Sequence, residues 1–157
     1  MPKFYFEDFS VGWTAEYGPR RVTREEIIGF AAQFDPQPMH LDEEAAANSM
    51  LRGLSGSGWH LCSLMMRMMA DGFITRAASL GSPGVDEVRW LRPLRAGESV
   101  RVRATVLETR ASRSRPQLGF VKFLFELLDS SGTVLMTLTV SPMFGRRDAA
   151  SGSHESS

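Results

Sequence analysis

Trp59-His60-Leu61-Cys62-Ser63-Leu64-Met65-Met66-Arg67-Met68-Met69-Ala70, continuing to Ala78, is a long run with almost no helix breaker. Leu61, Leu64, Met65, Met68, Met69 and Phe73 are among its apolar positions, and apolar residues surround most of the axis in its first half. A helix of that kind is expected to be buried on several sides. At 1.5 Å per residue its twenty residues would span roughly 30 Å. The apolar stretch from Leu61 to Ala70 is interrupted by Arg67 and is too short for a bilayer. Gly53-Leu54-Ser55-Gly56-Ser57-Gly58 leads into the helix and Gly81-Ser82-Pro83-Gly84 follows it.

Downstream, the pattern changes to β. Val85 to Leu91 reads as a strand, and Pro93 to Glu98 as a turn containing Gly97. Val100 to Val106 alternates at period two, so one of its faces is expected to be wet. Arg110 to Pro116 reads as a basic loop. Phe120–Leu128 and Thr133–Met143 form an expected hairpin around Asp129-Ser130-Ser131-Gly132.

Upstream, Trp13 to Val22 is a candidate strand. Thr23-Arg24-Glu25-Glu26 is a capping box, followed by Ile27, Phe30, Ala31 and Phe34 at helical spacing. Pro36 and Pro38 disfavour helical geometry at Asp35 and Gln37, so the helix should end near Phe34 with Asp35 at its exit. Asp42-Glu43-Glu44 starts a short helix running to about Asn48. Helices followed by a run of strands indicate an α+β fold, with an antiparallel sheet packed on the long helix.

At 157 residues the chain fits one domain, expected over 1–145, with a small, polar and disordered tail over 146–157. Eighteen basic residues balance eighteen acidic ones. That balance argues against nucleic acid held mainly through backbone phosphates. Cys62 is the single cysteine, which precludes an intrachain disulfide and suits a reducing compartment. The N-terminus shows no apolar segment of the kind that directs secretion. A soluble, cytoplasmic protein that does not insert in a membrane is the expectation.

Four segments resemble the MaoC-like acyl dehydratases, the family of (R)-specific enoyl-CoA hydratases. They are Phe6–Gly12, Phe30–Asp42, Ser57–Ser63 and Arg89–Glu98. The central one carries Asp35-Pro36-Gln37-Pro38-Met39-His40, similar to a family motif of an Asp, usually followed by Asn-Pro, with a His five residues after the Asp. Together the segments cover most of residues 6 to 145. The resemblance implies a single hot-dog fold, a sheet wrapped around the long helix. It implies reversible addition of water to a trans-2-enoyl thioester, with Asp35 and His40 as the catalytic pair. The substrate would be carried by CoA or an acyl-carrier protein. No cofactor is implied beyond the CoA of the substrate, and the chain would pair into a homodimer or a higher oligomer of dimers. Two positions depart from the family: Gln37 stands at the usual Asn, and Ser57 at a common His.

Hydration of an enoyl thioester needs a base for water, an acid for the α-carbon and a partner for charge on the thioester oxygen. A carboxylate and an imidazole on one proline-framed loop can share the first two tasks. Without the resemblance, Asp35 reads equally as a turn residue before proline, and His40 as a structural hydrogen bonder. Gly58, at the start of the long helix, offers an amide for the oxyanion, and its missing Cβ lets a carbonyl approach. The resemblance also places Ser63 beside the site, orienting Asp35 or the water. Arg110, Arg113 and Arg115 can meet CoA phosphates, or form a solvated basic loop. His60 reads as a packed or partly exposed histidine, Cys62 as core, and the three histidines make no metal motif. The Met65, Met66, Met68 and Met69 cluster reads as core or dimer packing rather than an acyl pocket. A hot-dog thioesterase would need a well-placed carboxylate, for which Asp71 and Glu87 are poor candidates. A non-catalytic acyl-CoA-binding subunit is the third possibility, kept open by Gln37.

Overall fold

The computed structural model describes residues 1–147. Six strands form one antiparallel sheet: β1 (Thr14–Arg21), β2 (Glu87–Trp90), β3 (Ser99–Ala111), β4 (Leu118–Leu128), β5 (Val134–Val140) and β6 (Met143–Gly145). The order across the sheet is β1-β3-β4-β5-β2, with β6 added to the early part of β4. The helices precede β2 in the chain: α1 (Arg24–Phe34), α2 (Pro38–Leu41), α3 (Glu43–Ala47) and α4 (Gly58–Gly72). The sheet lies against α4 in the hot-dog arrangement. None of the described helices is long and apolar enough to cross a membrane.

The alternation in β3 is as the sequence indicates: Val100, Val102, Ala104 and Val106 turn inward and are buried. Val121, Phe123, Phe125 and Leu127 do the same on β4. From α4 they meet Leu61, Leu64, Met65, Met68 and Met69. Phe9, Phe73, Phe123 and Phe144 close one end of this core with ring centroids 4.8–6.2 Å apart. Fully burying each such side chain contributes on the order of 1.5–3 kcal/mol.

Several boundaries differ from the sequence expectation. The long helix stops at Gly72, not Ala78, and so rises roughly 22 Å rather than 30 Å. Gly72 lies so close to the Tyr17 ring that any Cβ there would overlap it. Phe73 then leaves helical geometry and Ile74–Arg76 continue as one 3₁₀ turn. Nor is α4 buried on several sides. The sheet covers one face, while Trp59 (59%) and Met66 (47%) remain exposed on the other. Strand β3 runs on through Arg110, placing that residue opposite Phe120 on β4 and not in the loop. The expected final strand is two: β5 ends at Val140, and Met143–Gly145 turn back onto β4. The expected tail boundary shifts as well. Arg146 and Arg147 are held by Glu7 and Asp8 at 3.4 and 2.7 Å. The remainder of that tail, with His154, lies outside the described residues.

Candidate active site

Asp35 is the exit of α1. Its backbone leaves helical geometry at φ −151° and ψ 70°, while its amide still donates to the Ala31 carbonyl. Pro38 occupies the first turn of α2, where its lack of an N–H costs nothing. That single turn places His40 back against Asp35. The connecting backbone is knit by two hydrogen bonds: the Gln37 amide donates to the Asp35 carbonyl at 2.8 Å, and the His40 amide to the Gln37 carbonyl at 2.9 Å. Asp42 then caps α3 by accepting from the Ala45 amide. His40 thus belongs to its own short helix, a step the sequence did not reveal.

The His40 ring is buried. Its Nδ1 lies 2.7 Å from the Ser55 carbonyl oxygen. A carbonyl can only accept, so Nδ1 carries the proton and the neutral ring has its lone pair on Nε2. Nε2 faces Asp35 Oδ2 at 3.5 Å, longer than a direct hydrogen bond. Both atoms are acceptors when the ring is neutral and the carboxyl ionised. A water placed to donate to each is the arrangement that satisfies them together.

Asp35 is held on both oxygens. The Ser57 hydroxyl donates to Oδ2 at 2.6 Å and the Gln37 side-chain amide to Oδ1 at 2.6 Å. The Ser57 bond is the largest cause holding the Asp35 carboxyl below its usual range, followed by the Gln37 bond; partial burial opposes them, and His40 adds a smaller favourable effect. Both donors stand at the two positions that depart from the family pattern.

A cavity of about 210 Å³ opens beside the pair. His40, Ser55, Gly58, Leu61, Trp90 and Leu94 contribute to its wall. Gly58 is the first residue of α4, where an amide has no acceptor within its own helix. The missing Cβ has a different use from the one expected: the Trp90 indole lies over Gly58, and a Cβ would overlap its ring. Ser55 is buried, and its hydroxyl finds no partner among the described residues.

Ser63 is not brought to Asp35. It is exposed, and its hydroxyl donates to the Trp59 carbonyl one turn back. Ser57 makes the contact expected of it. The signal was available, because Ser63 lies about 140° around a helix from Gly58 at 3.6 residues per turn. Arg110, Arg113 and Arg115 do converge, lining a groove of about 480 Å³ with Leu118, Phe120 and Met143. The Arg110 guanidinium sits 4.5 Å over the Phe120 ring. This groove shares no lining residue with the cavity at His40.

His60 is packed, as expected: its ring stacks on Phe30 at 4.6 Å and burial lowers its pKa. Cys62 is only partly buried, and its thiol pKa is raised, chiefly by burial. Asp71 and Glu87 are exposed and paired with Arg67 and Arg89. Among the described residues no cluster suited to a metal ion occurs. Met65, Met68 and Met69 are buried in the core, as expected, and Met65, Met66 and Met69 also line a separate apolar cavity of about 370 Å³ with Cys62, Phe125 and Leu138.

A model of the MaoC like domain family matches residues 10–121, a span that includes Asp35, His40 and Gly58. The MaoC-like dehydratase from Rhodospirillum rubrum is 35% identical, with a TM-score of 0.83 over 92% of this chain and 98% of that one. The (R)-hydratase PhaJ1 from Pseudomonas aeruginosa shares the fold, with a TM-score of 0.72 at 21% identity over 92% of this chain and 87% of that one. The uncharacterized protein YdeM of Bacillus subtilis is 24% identical over 75% of this chain and 82% of its own.

Proposed function

The chain belongs to the MaoC-like domain family, and on that premise we propose that it is a hydro-lyase adding water reversibly to a trans-2-enoyl thioester. One observation carries the proposal: Nε2 of His40 faces the clamped Asp35 carboxylate at 3.5 Å beside the Gly58 cavity. A water donating to both groups keeps a lone pair free for C3 of the enoyl group. As the oxygen–C3 bond forms, the C2–C3 π pair moves onto C2 and the thioester oxygen. His40 Nε2 takes the water proton, and the resulting imidazolium is stabilised by the adjacent Asp35 charge. The same N–H then protonates C2 from the same face. Nothing is oxidised, and the enzyme returns to its starting state. The Gly58 amide at the positive end of α4 meets the developing oxyanion, and the buried Ser55 hydroxyl is a second available donor.

The methionine-lined cavity takes the acyl chain. Cys62 lies on its wall, its thiol donating to the Met136 sulfur at 3.7 Å, and Trp90, which pairs with Met136 across β2 and β5, lines the cavity at His40. Arg110, Arg113 and Arg115 take the CoA phosphates; none of them has an ion-pair partner among the described residues. The groove lies at the end of β3 away from Ser99, whereas Trp90 and Met136 pair at the other end of the sheet. A second copy pairing antiparallel along the β2 edge brings its groove to the end that holds the dyad.

The test is incubation with trans-2-enoyl-CoAs of several lengths, following enoyl absorbance and free thiol together. Loss of absorbance without thiol is the expected result. Thiol release would instead indicate a thioesterase, and binding with neither change a non-catalytic acyl-CoA-binding subunit.

A further inference from the structure

We infer that Ser57 and Gln37 act together as positioning residues, a two-armed clamp that fixes the Asp35 carboxylate against His40. The inference rests on the hydratase reading for its consequence in turnover, though not for the clamp itself.

The two arms are built differently. Ser57 is fully buried at the N-cap of α4. Its oxygen accepts from the Trp59 amide at 3.3 Å, and its proton goes to Asp35 Oδ2 at 2.6 Å. The hydroxyl is therefore oriented from both sides, and it couples the positive end of α4 to the carboxylate. Gln37 is exposed, but its backbone is already tied to Asp35 and His40, and a proline stands on each side of it. Its side chain has only to fold back two residues to reach Oδ1 at 2.6 Å.

Each carboxylate oxygen thus has one donor of its own. An aspartate at a helix exit with neither arm is free to rotate toward solvent, and its Oδ2 then no longer faces Nε2. The clamp also favours the ionised form, because both donors satisfy charge. Asp35 is thereby a fixed acceptor and a weak base, which leaves proton transfer to His40. The two departures from the family motif are complementary, since both serve one carboxylate.

The experiment is a ¹³C carboxyl titration of Asp35, run on wild type, Ser57→Ala, Gln37→Met and the double variant, with steady-state kinetics alongside. Gln37→Met keeps the side-chain length, removes the donor and changes an exposed position, so folding is retained. The Asp35 midpoint is expected to rise in each single variant and further in the double one. Turnover is expected to fall roughly ten- to a hundred-fold in Ser57→Ala, the range for losing a hydrogen bond to a charged group. KM should stay within about twofold, because neither arm meets the acyl chain or CoA, and Ser57→Thr should restore both the midpoint and kcat. An unmoved midpoint in the folded Gln37→Met and double variants would overturn the clamp. Should wild type hydrate no enoyl thioester, the hydratase reading fails, while the titration still decides the clamp.

Discussion

Replacing Asp35 with asparagine keeps the shape of the side chain but turns one carboxylate oxygen into a donor. Ser57 and Gln37 both donate to Asp35, so at least one of them loses its acceptor. Turnover of Asp35→Asn should fall roughly 10²- to 10⁴-fold, because His40, whose acid–base work spans that range, loses the carboxylate that positions its water and stabilises its imidazolium. Kinetics and a thermal melt on the same sample check this; near wild-type rates in folded protein would sink the dyad. Gly58→Ala asks a different question. Its Cβ meets the Trp90 ring, an overpacking that costs about 1–3 kcal/mol. Urea titration should show that loss, and Trp90→Ala in the same chain should recover part of it. Asp35 and His40 stood out only through the family resemblance of their proline-framed loop, since local rules alone read them as a turn residue and a structural hydrogen bonder. The role of Ser57 was not legible, because its partnership with Asp35 spans 22 residues and depends on how α4 approaches α1.

At the scale of single helices, α1 shows how far local rules reach. Thr23 caps it as the sequence indicates, accepting the Glu26 amide at 3.2 Å. Glu26 does not reach back; it turns to Arg20 at 3.5 Å, so a tertiary ion pair displaces half of the capping box. Thr23→Ala should cost about 1 kcal/mol of stability, read from the urea midpoint. Between α1 and α4, His60 stacks on Phe30 with its Nδ1 buried and unpartnered among the described residues. Its folded pKa is lowered from 6.5, first by burial, with Arg20 adding and Glu26 opposing. The unfolded chain therefore binds more protons below that value, and stability should decline as pH drops from 6.5 toward the folded pKa. Denaturation at pH 7.5 and in the acid range should show His60→Leu losing less stability on acidification than wild type. The end of α4 was not legible: the backbone leaves helical geometry at Phe73, and the Gly72 before it is where Tyr17 of a distant strand packs too close for any Cβ.

Over the whole molecule, the order of helices and strands was legible because each element carries its own periodicity. The sheet order was not, since it depends on pairings such as Trp90 with Met136 across the chain. That order leaves β2 at an edge. Val85, Trp90 and Leu91 are exposed there, as are Trp59 and Met66 on α4. An edge strand with exposed apolar neighbours is a surface for pairing. Sedimentation should give twice the 17.4 kDa chain mass, and Met66→Glu with Leu91→Glu should halve it. A monomer in wild type would rule out the β2 pairing.

Arg146 and Arg147 grip Glu7 and Asp8, so the first and last stretches of the described residues lie side by side. Seen as a piece of engineering, the domain is close to a closed ring with its cut at that point. A short flexible linker from Arg147 to Phe4, with a new opening between Ser130 and Ser131 in an exposed turn, should yield a circular permutant that folds to the same sheet. The same adjacency would let two copies be strung in tandem without stretching the chain, placing two sites under the control of one polypeptide.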